Sequence, residues 1–190
     1  MNAIATPPPM QPVMTLEEFC EKHGGDHVEF INGRVVEQPM AQNKHGKICF
    51  VAAYQLGLHV IPNDLGHITT NDSFVRVPTR HDPTRVRGAD VCYFSYARLP
   101  RGPIPDGLLD VSPELIVEVM SPTDLWTEVF AKVEEDLANG VLAVVVLNAD
   151  KRSASVCRPG PDQQDFQAAD TLTLPDLLPG FAVPVARLFD

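Results

Sequence analysis

Two hydrophobic periods alternate along this 190-residue chain, one near 2 and one near 3.6 residues. Thr15-Leu-Glu-Glu18 has the form of a capping box, in which the Thr hydroxyl and the Glu carboxylate satisfy two orphan backbone N–H groups. It opens a short helix with Leu16 and Phe19 turned inward, and Gly24-Gly25 ends it. Val28–Ile31 and Arg34–Glu37 then flank Asn32-Gly33, residues that tolerate the positive φ angles of a type I′ turn, so a β-hairpin is predicted. From Asn43 to Val60, Ile48, Cys49, Ala52, Leu56 and Val60 recur at helical spacing, and Pro62 closes the segment. His45 falls in the first turn of that helix, on or near its buried face.

Gly66–Thr70, Ser73–Val77 and Ala89–Phe94 read as three strands, with a polar connection, Arg80–Arg87, before the last. After a Pro- and Gly-rich loop over Leu99–Ser112, Glu114–Met120 is the mostly apolar strand found in the middle of a sheet. Ser121-Pro122-Thr-Asp124 then predicts a helix start: a Ser cap, Pro in the first turn and an acid three residues on. Trp126, Phe130, Val133 and Leu137 fall on one face of that helix, and Asn139-Gly140 stops it. Val141–Leu147 is a β-branched strand, and Lys151–Arg158, Phe166–Ala169 and Phe181–Val185 follow as later strands. The sum is one α/β domain over residues 14–190: a mixed β-sheet flanked by helices, with an N-terminal β-hairpin.

Composition narrows this in three ways. The 18 prolines are concentrated partly in Ala5–Pro12, so residues 1–13 are expected to form a disordered, extended lead-in. No run approaches the roughly 20 apolar residues of a membrane span, and the start lacks the basic and apolar regions of a secretory signal. A cytoplasmic protein with no membrane partner is expected. The four cysteines are scattered, which predicts reduced thiols and no zinc site. A formal charge of −10 speaks against loose, charge-driven binding to nucleic acid.

Several devices are absent: a phosphate loop ending in Gly-Lys-Ser/Thr, a Gly-x-Ser-x-Gly elbow, and a His-Glu-x-x-His pair. The strongest local anomaly is Glu118, which interrupts an apolar strand just before the chain turns at Ser121-Pro122. A carboxylate there needs a metal, a cation or hydrogen bonds to offset its burial, or else one face in water. Asp90 opens the strand Ala89–Phe94, and acids on neighbouring strands are what a hard cation such as Mg²⁺ takes. Lys132 lies about 90° from the centre of its helix's apolar face, able to reach the sheet edge or to point into solvent.

The order of these segments carries a resemblance. Glu29 precedes the Asn-Gly turn, His45 opens a long helix, and Asp90-Val follows. Then come Glu-Leu-Ile-Val-Glu118-Val-Met-Ser-Pro122 and Lys132, with Gly140-Val141 eight residues on. This resembles the Uma-type putative restriction endonuclease family, a branch of the PD-(D/E)XK nuclease superfamily, from about Thr15 to Leu188-Phe189. The resemblance implies metal-dependent phosphodiester hydrolysis, with Asp90 and Glu118 as metal ligands and the backbone carbonyl of Val119 completing the coordination. It gives Lys132 the role of orienting water and stabilising charge. Glu29 becomes the additional acid and His45 a supporting residue. The implied cofactor is Mg²⁺, with Mn²⁺ able to substitute. Two positions depart from the family pattern: Ala89 stands where Pro usually precedes the Asp, and Asp136 stands one helical turn after Lys132, where it invites an ion pair with that lysine.

The expected function is therefore a Mg²⁺-dependent endonuclease acting on DNA, bound weakly and in a salt-dependent way, with a homodimer as a possible assembly. Arg76, Arg80, Arg85, Arg87, Arg98 and Arg101 are candidate phosphate contacts. Two alternatives stay open. One is a nuclease-fold module that binds or assembles without cutting; the other is hydrolysis of a different phosphate compound by the same ligands.

Overall fold

The structure is a computed structural model that describes residues 13–121 and 124–190. The lead-in expected over residues 1–13 lies outside the described residues except for Val13, as do Pro122 and Thr123. Helix α1 (Leu16–His23) begins at the expected capping box, with both reciprocal bonds between Thr15 and Glu18 made. Strands β1 (Val28–Ile31) and β2 (Arg34–Glu37) form the hairpin, and Asn32 and Gly33 take φ of 51° and 71° at its turn. Phe19 stacks on Phe30 with ring centroids 4.8 Å apart, which clamps α1 onto β1.

Helix α2 (Asn43–Val60) buries Ile48, Ala52, Leu56 and Val60, the predicted stripe. It is followed by β3 (Gly66–Arg76), β4 (Val86–Ser95), β5 (Leu115–Met120), α3 (Trp126–Ala138), β6 (Ala143–Asn148), β7 (Ser153–Cys157) and β8 (Gln163–Phe166). One mixed sheet runs in the order β2-β1-β4-β5-β6-β7-β8, with β3 paired to β4 as well. β5 and β6 are parallel, and α3 makes the crossover between them; the other ladders are antiparallel. A small ladder of β9 (Thr171–Thr173) and β10 (Ala182–Pro184), then a 3₁₀ turn over Val185–Phe189, close the chain against α2 and β7.

Each face of the sheet is covered. On one, the α2 stripe meets Val91, Tyr93, Leu115, Val117 and Leu147, sealed by Leu178, Val185 and Leu188. On the other, Val129 and Val133 of α3 meet Cys92, Ile116, Val144 and Val146. Each such side chain removed from water contributes about 1.5–3 kcal/mol, which is why the alternating residues of the central strands fix the register. Among the described residues no helix is long and apolar enough to cross a membrane.

Four expectations are corrected. The two strands expected over 66–77 are one strand, β3, carrying a bulge between Thr70 and Ser73 where Asn71 and Asp72 take φ of 66° and 53°. β4 begins at Val86, so Asp90 lies in the middle of the strand and does not open it. α3 begins at Trp126, not at Ser121, and ahead of it Asp124 Oδ2 accepts the Ser121 N–H at 2.8 Å. The buried face of α3 is Val129, Val133 and Asp136, whereas Trp126 and Phe130 are 41% and 37% exposed.

The rotation of α3 has an electrostatic cause. Buried Arg87 of β4 donates through Nη2 to Asp136 Oδ1 at 2.7 Å and to the Lys132 carbonyl at 3.0 Å, while Nη1 lies 3.5 Å from Glu135. Burial pushes the Asp136 carboxyl up to about 6 despite the opposing pull of Arg87. The folded protein therefore holds this proton more tightly than the unfolded chain, and the stability it contributes is lost as pH rises from about 4 to about 6. A shift of about two pH units is worth about 3 kcal/mol. Denaturant titrations across that window should show this fall in the wild type and a shallower one in Asp136→Asn; equal slopes would refute the assignment.

Candidate active site

The site lies where β4 changes partners. One edge of β4 pairs with β5 only as far as Val91–Val117, and with β1 at Val86–Phe30. Gly88 to Asp90 fall between the two ladders, and the strands splay there into a cleft of about 350 Å³. Continuing the β4–β5 register would set Asp90 opposite Glu118. Instead the Asp90 side chain takes the ladder's place: its Oδ2 accepts the Val119 N–H at 2.7 Å. Asp90 is thereby buried and fixed beside Glu118 and the Val119 carbonyl.

His45, in the first turn of α2, completes this corner. Its Nε2 lies 2.9 Å from the Val119 carbonyl and 3.4 Å from Asp90 Oδ2, and its Nδ1 lies 3.4 Å from Cys49 Sγ. The bond to Asp90, more than any other contact, raises the His45 pKa, against the opposing effect of burial. One ligand atom from each of His45, Cys49 and Asp90 falls within 4.8 Å of the others. Burial and the charge of Asp90 hold the Cys49 thiol far above its ordinary pKa, so it stays protonated.

Glu118 faces the same cleft and accepts no hydrogen bond among the described residues. Burial first, then the charges of Asp90 and Asp136, push its carboxyl well above the usual range; Lys132 and Arg87 oppose this. Glu29 enters from β1, buried, and its Oε1 lies 3.5 Å from Lys132 Nζ. Lys132 sits on the flank of α3 as its helical angle implied, 46% exposed and directed to the cleft. The fold thus brings Asp90, Glu118, Val119, Glu29, Lys132 and His45 to one cavity.

Two expectations about charge do not hold. Asp136 is paired with Arg87, not with Lys132, because it faces the sheet on the buried side of α3. Nor, apart from exposed Arg80, which makes no ion pair among the described residues, are the arginines of the 76–101 stretch a free basic surface. Arg76 pairs with Asp110, Arg85 with Glu135, Arg87 with Asp136, Arg98 with Glu114, and Arg101 with Asp64. Arg98 also donates to the carbonyls of Ser112, Pro113 and Gly140.

One acid of the cleft escaped sequence reasoning. Asp72, at the β3 bulge, faces the cavity beside His27, whose Nδ1 is 3.3 Å from its Oδ2. Burial and the nearby charge of Asp90 raise its pKa. The available signal was the dipeptide Asn71-Asp72 itself, a pair suited to positive φ inside an otherwise β-branched run, which reads as a break between strands.

Comparison with known proteins agrees with this architecture. A crystal structure of a putative nuclease of the DUF820 group from Anabaena variabilis superposes with a TM-score of 0.77 at 22% identity, covering 93% of this chain and 97% of that one. A search of curated proteins found no match. The family model described as Uma2, putative restriction endonuclease, matches residues 14–186. With nearly its whole length aligned and the fold shared, the chain belongs to the Uma2 family of putative restriction endonucleases.

Proposed function

We propose that the protein is a divalent-metal-dependent endonuclease that hydrolyses DNA phosphodiester bonds. The observation that carries this reading is the convergence of Asp90, Glu118 and the Val119 carbonyl on the cleft left by the split edge of β4. The donor set suits Mg²⁺, with Mn²⁺ as a substitute: hard oxygens, two of them carboxylate, in a site whose buried acids exceed its cations. Glu118 supports the fit most directly, since a carboxylate without hydrogen bonds among like charges is stabilised by a bound cation. Asp90, Glu118 and Val119 would hold the metal. When bound, a divalent cation there supplies charge to polarise a phosphate and lower the pKa of a coordinated water.

The chain's own groups do the positioning. His45 and the Val119 N–H lock the Asp90 carboxylate, so its other oxygen is presented to the cleft without rotamer freedom. Lys132 places a positive charge where negative charge develops on the phosphoryl oxygens, and Glu29 holds that ammonium at the cleft. Because five of the six arginines nearby are already paired with acids of the chain, grip on DNA rests on the cation, Arg80 and a few lysines. Binding is weak and sensitive to salt, and a second copy would be needed to cut both strands at once.

Asp90→Asn and Glu118→Gln should each reduce Mg²⁺-dependent cleavage of plasmid DNA to background with an unchanged circular dichroism spectrum. Lys132→Ala should lower the rate by about 10²–10³-fold. Wild-type rates in both acid variants would sink the proposal, and cleavage of small phosphodiesters or RNA in place of DNA would redirect it. A pH dependence follows from Glu118. With its folded pKa raised, ionisation costs stability above the ordinary carboxylate range, and a cation must displace the proton. Mn²⁺ affinity measured by calorimetry should keep rising with pH above the ordinary carboxylate range in the wild type and stay nearly flat there in Glu118→Gln; parallel profiles would contradict this.

A further inference from the structure

The roles assigned so far leave Asp72 unused, although the fold goes to some length to place it. In the β3–β4 ladder Thr70 pairs with Val91 and Ser73 with Ala89, so two residues, Asn71 and Asp72, face the single residue Asp90. Both adopt left-handed φ, a conformation that costs a non-glycine residue about 1 kcal/mol or more and persists only where the surroundings impose it. Across the ladder stands Gly88, and a Cβ there would come within 2.9 Å of the Asp72 Cβ and 3.2 Å of its carbonyl oxygen. The bulge, its strain and the glycine opposite belong to one arrangement. Its outcome is a carboxylate carried to the wall of the cleft, held by His27 at 3.3 Å.

A bulge of this kind could be purely structural, a way to twist β3, and Ser73 Oγ does close it by donating to the Thr70 carbonyl at 2.8 Å. Two observations point beyond that. The extra residue sits against Asp90 and not elsewhere along the eleven residues of β3. And across the cavity that Asp72 joins, the Glu118 carboxylate accepts no hydrogen bond among the described residues, while Glu29 meets the Lys132 ammonium at 3.5 Å, so the cleft holds a buried acid without a protein donor.

We propose that Asp72 is a positioning carboxylate of the divalent-cation site, acting on the cation through its coordinated waters, with the bulge and Gly88 as the device that aims it. Asp72, like Glu118, stands outside the group of ligand atoms formed by His45, Cys49 and Asp90, and it is assigned to the cation's waters because it lines the cleft from β3 and not from the β4–β5 junction. Its negative charge adds to the attraction for the cation, and its oxygens orient waters on the β3 side of the cleft, the side away from Glu118. His27 Nδ1, 3.3 Å away, steadies the carboxylate at the rim of the cleft. This inference rests on the reading of the cleft as a divalent-cation site.

The test is calorimetric titration of the full chain with MnCl₂, alongside thermal unfolding without metal. Asp90→Asn should abolish binding. Asp72→Asn should weaken it by about tenfold, the order expected for one charge a water's breadth from a divalent cation in a water-like medium with some salt screening. Asp110→Asn, which removes an exposed acid remote from the cleft, should leave affinity unchanged. Asp72→Gly separates site from scaffold, because glycine relaxes the left-handed conformation. Its melting temperature should equal or exceed that of the wild type while its Mn²⁺ affinity falls as in Asp72→Asn. Asp72→Glu, which restores the charge, should recover part of the loss. If both Asp72→Asn and Asp72→Gly bind Mn²⁺ like the wild type while Asp90→Asn does not, Asp72 is structural and the inference is overturned. Wild-type binding by Asp90→Asn would instead remove the cation-site reading itself, and this inference with it.

Discussion

The edge of β4 cannot serve two neighbours over its whole length, and that constraint organises the molecule. β5 takes one end and β1 the other, so the backbone between them must find partners elsewhere. Asp90 solves the problem on the β5 side by offering its carboxylate to the Val119 N–H. The same bond that satisfies a buried donor also positions an acid at the floor of a cleft. A sheet that closed its ladder completely would be more regular and would have no cavity there. The parallel β5–α3–β6 unit then places the flank of α3 over the opening, and the α1-braced hairpin supplies its opposite wall.

Charge is distributed with the same economy. Buried Arg87 ties α3 to β4 through Asp136, which turns the helix so that two aromatic residues face outward and Lys132 stays on the cleft side. The helix is thus oriented by the Arg87 contacts together with the packing of Val129 and Val133, and not by its aromatic residues. Away from the cleft, Arg76, Arg85, Arg87 and Arg98 are each paired with an acid; within it, acids outnumber the cations that face them.

Much of this was legible in the residues, and the failures share a cause. The hairpin, the capping box and α2 are written in local chemistry: a turn dipeptide, a cap and a stripe of apolar positions. Glu118 stood out because an acid in an apolar strand contradicts its surroundings. Asp72 did not, because an Asn-Asp pair between strand-like runs is ordinary in a turn; only the pairing of Thr70 and Ser73 with neighbouring residues of β4 turns it into a bulge. The buried face of α3 was misread for a related reason. Trp126 and Phe130 dominate a hydrophobicity pattern, while the partner of Asp136 lies 49 residues away and leaves no local trace.

The aromatic contact between Phe19 and Phe30 has a consequence for how the molecule fails. With Val86 these residues form a small core separate from the two that hold the central sheet. Glu29, the neighbour of Phe30, depends on that satellite for its place, and through it Lys132 loses or keeps its counter-charge. Heat or denaturant that loosens α1 would therefore dismantle one wall of the cleft while the remaining strands stay folded. Loss of the cleft would run ahead of global melting, starting from the first helix.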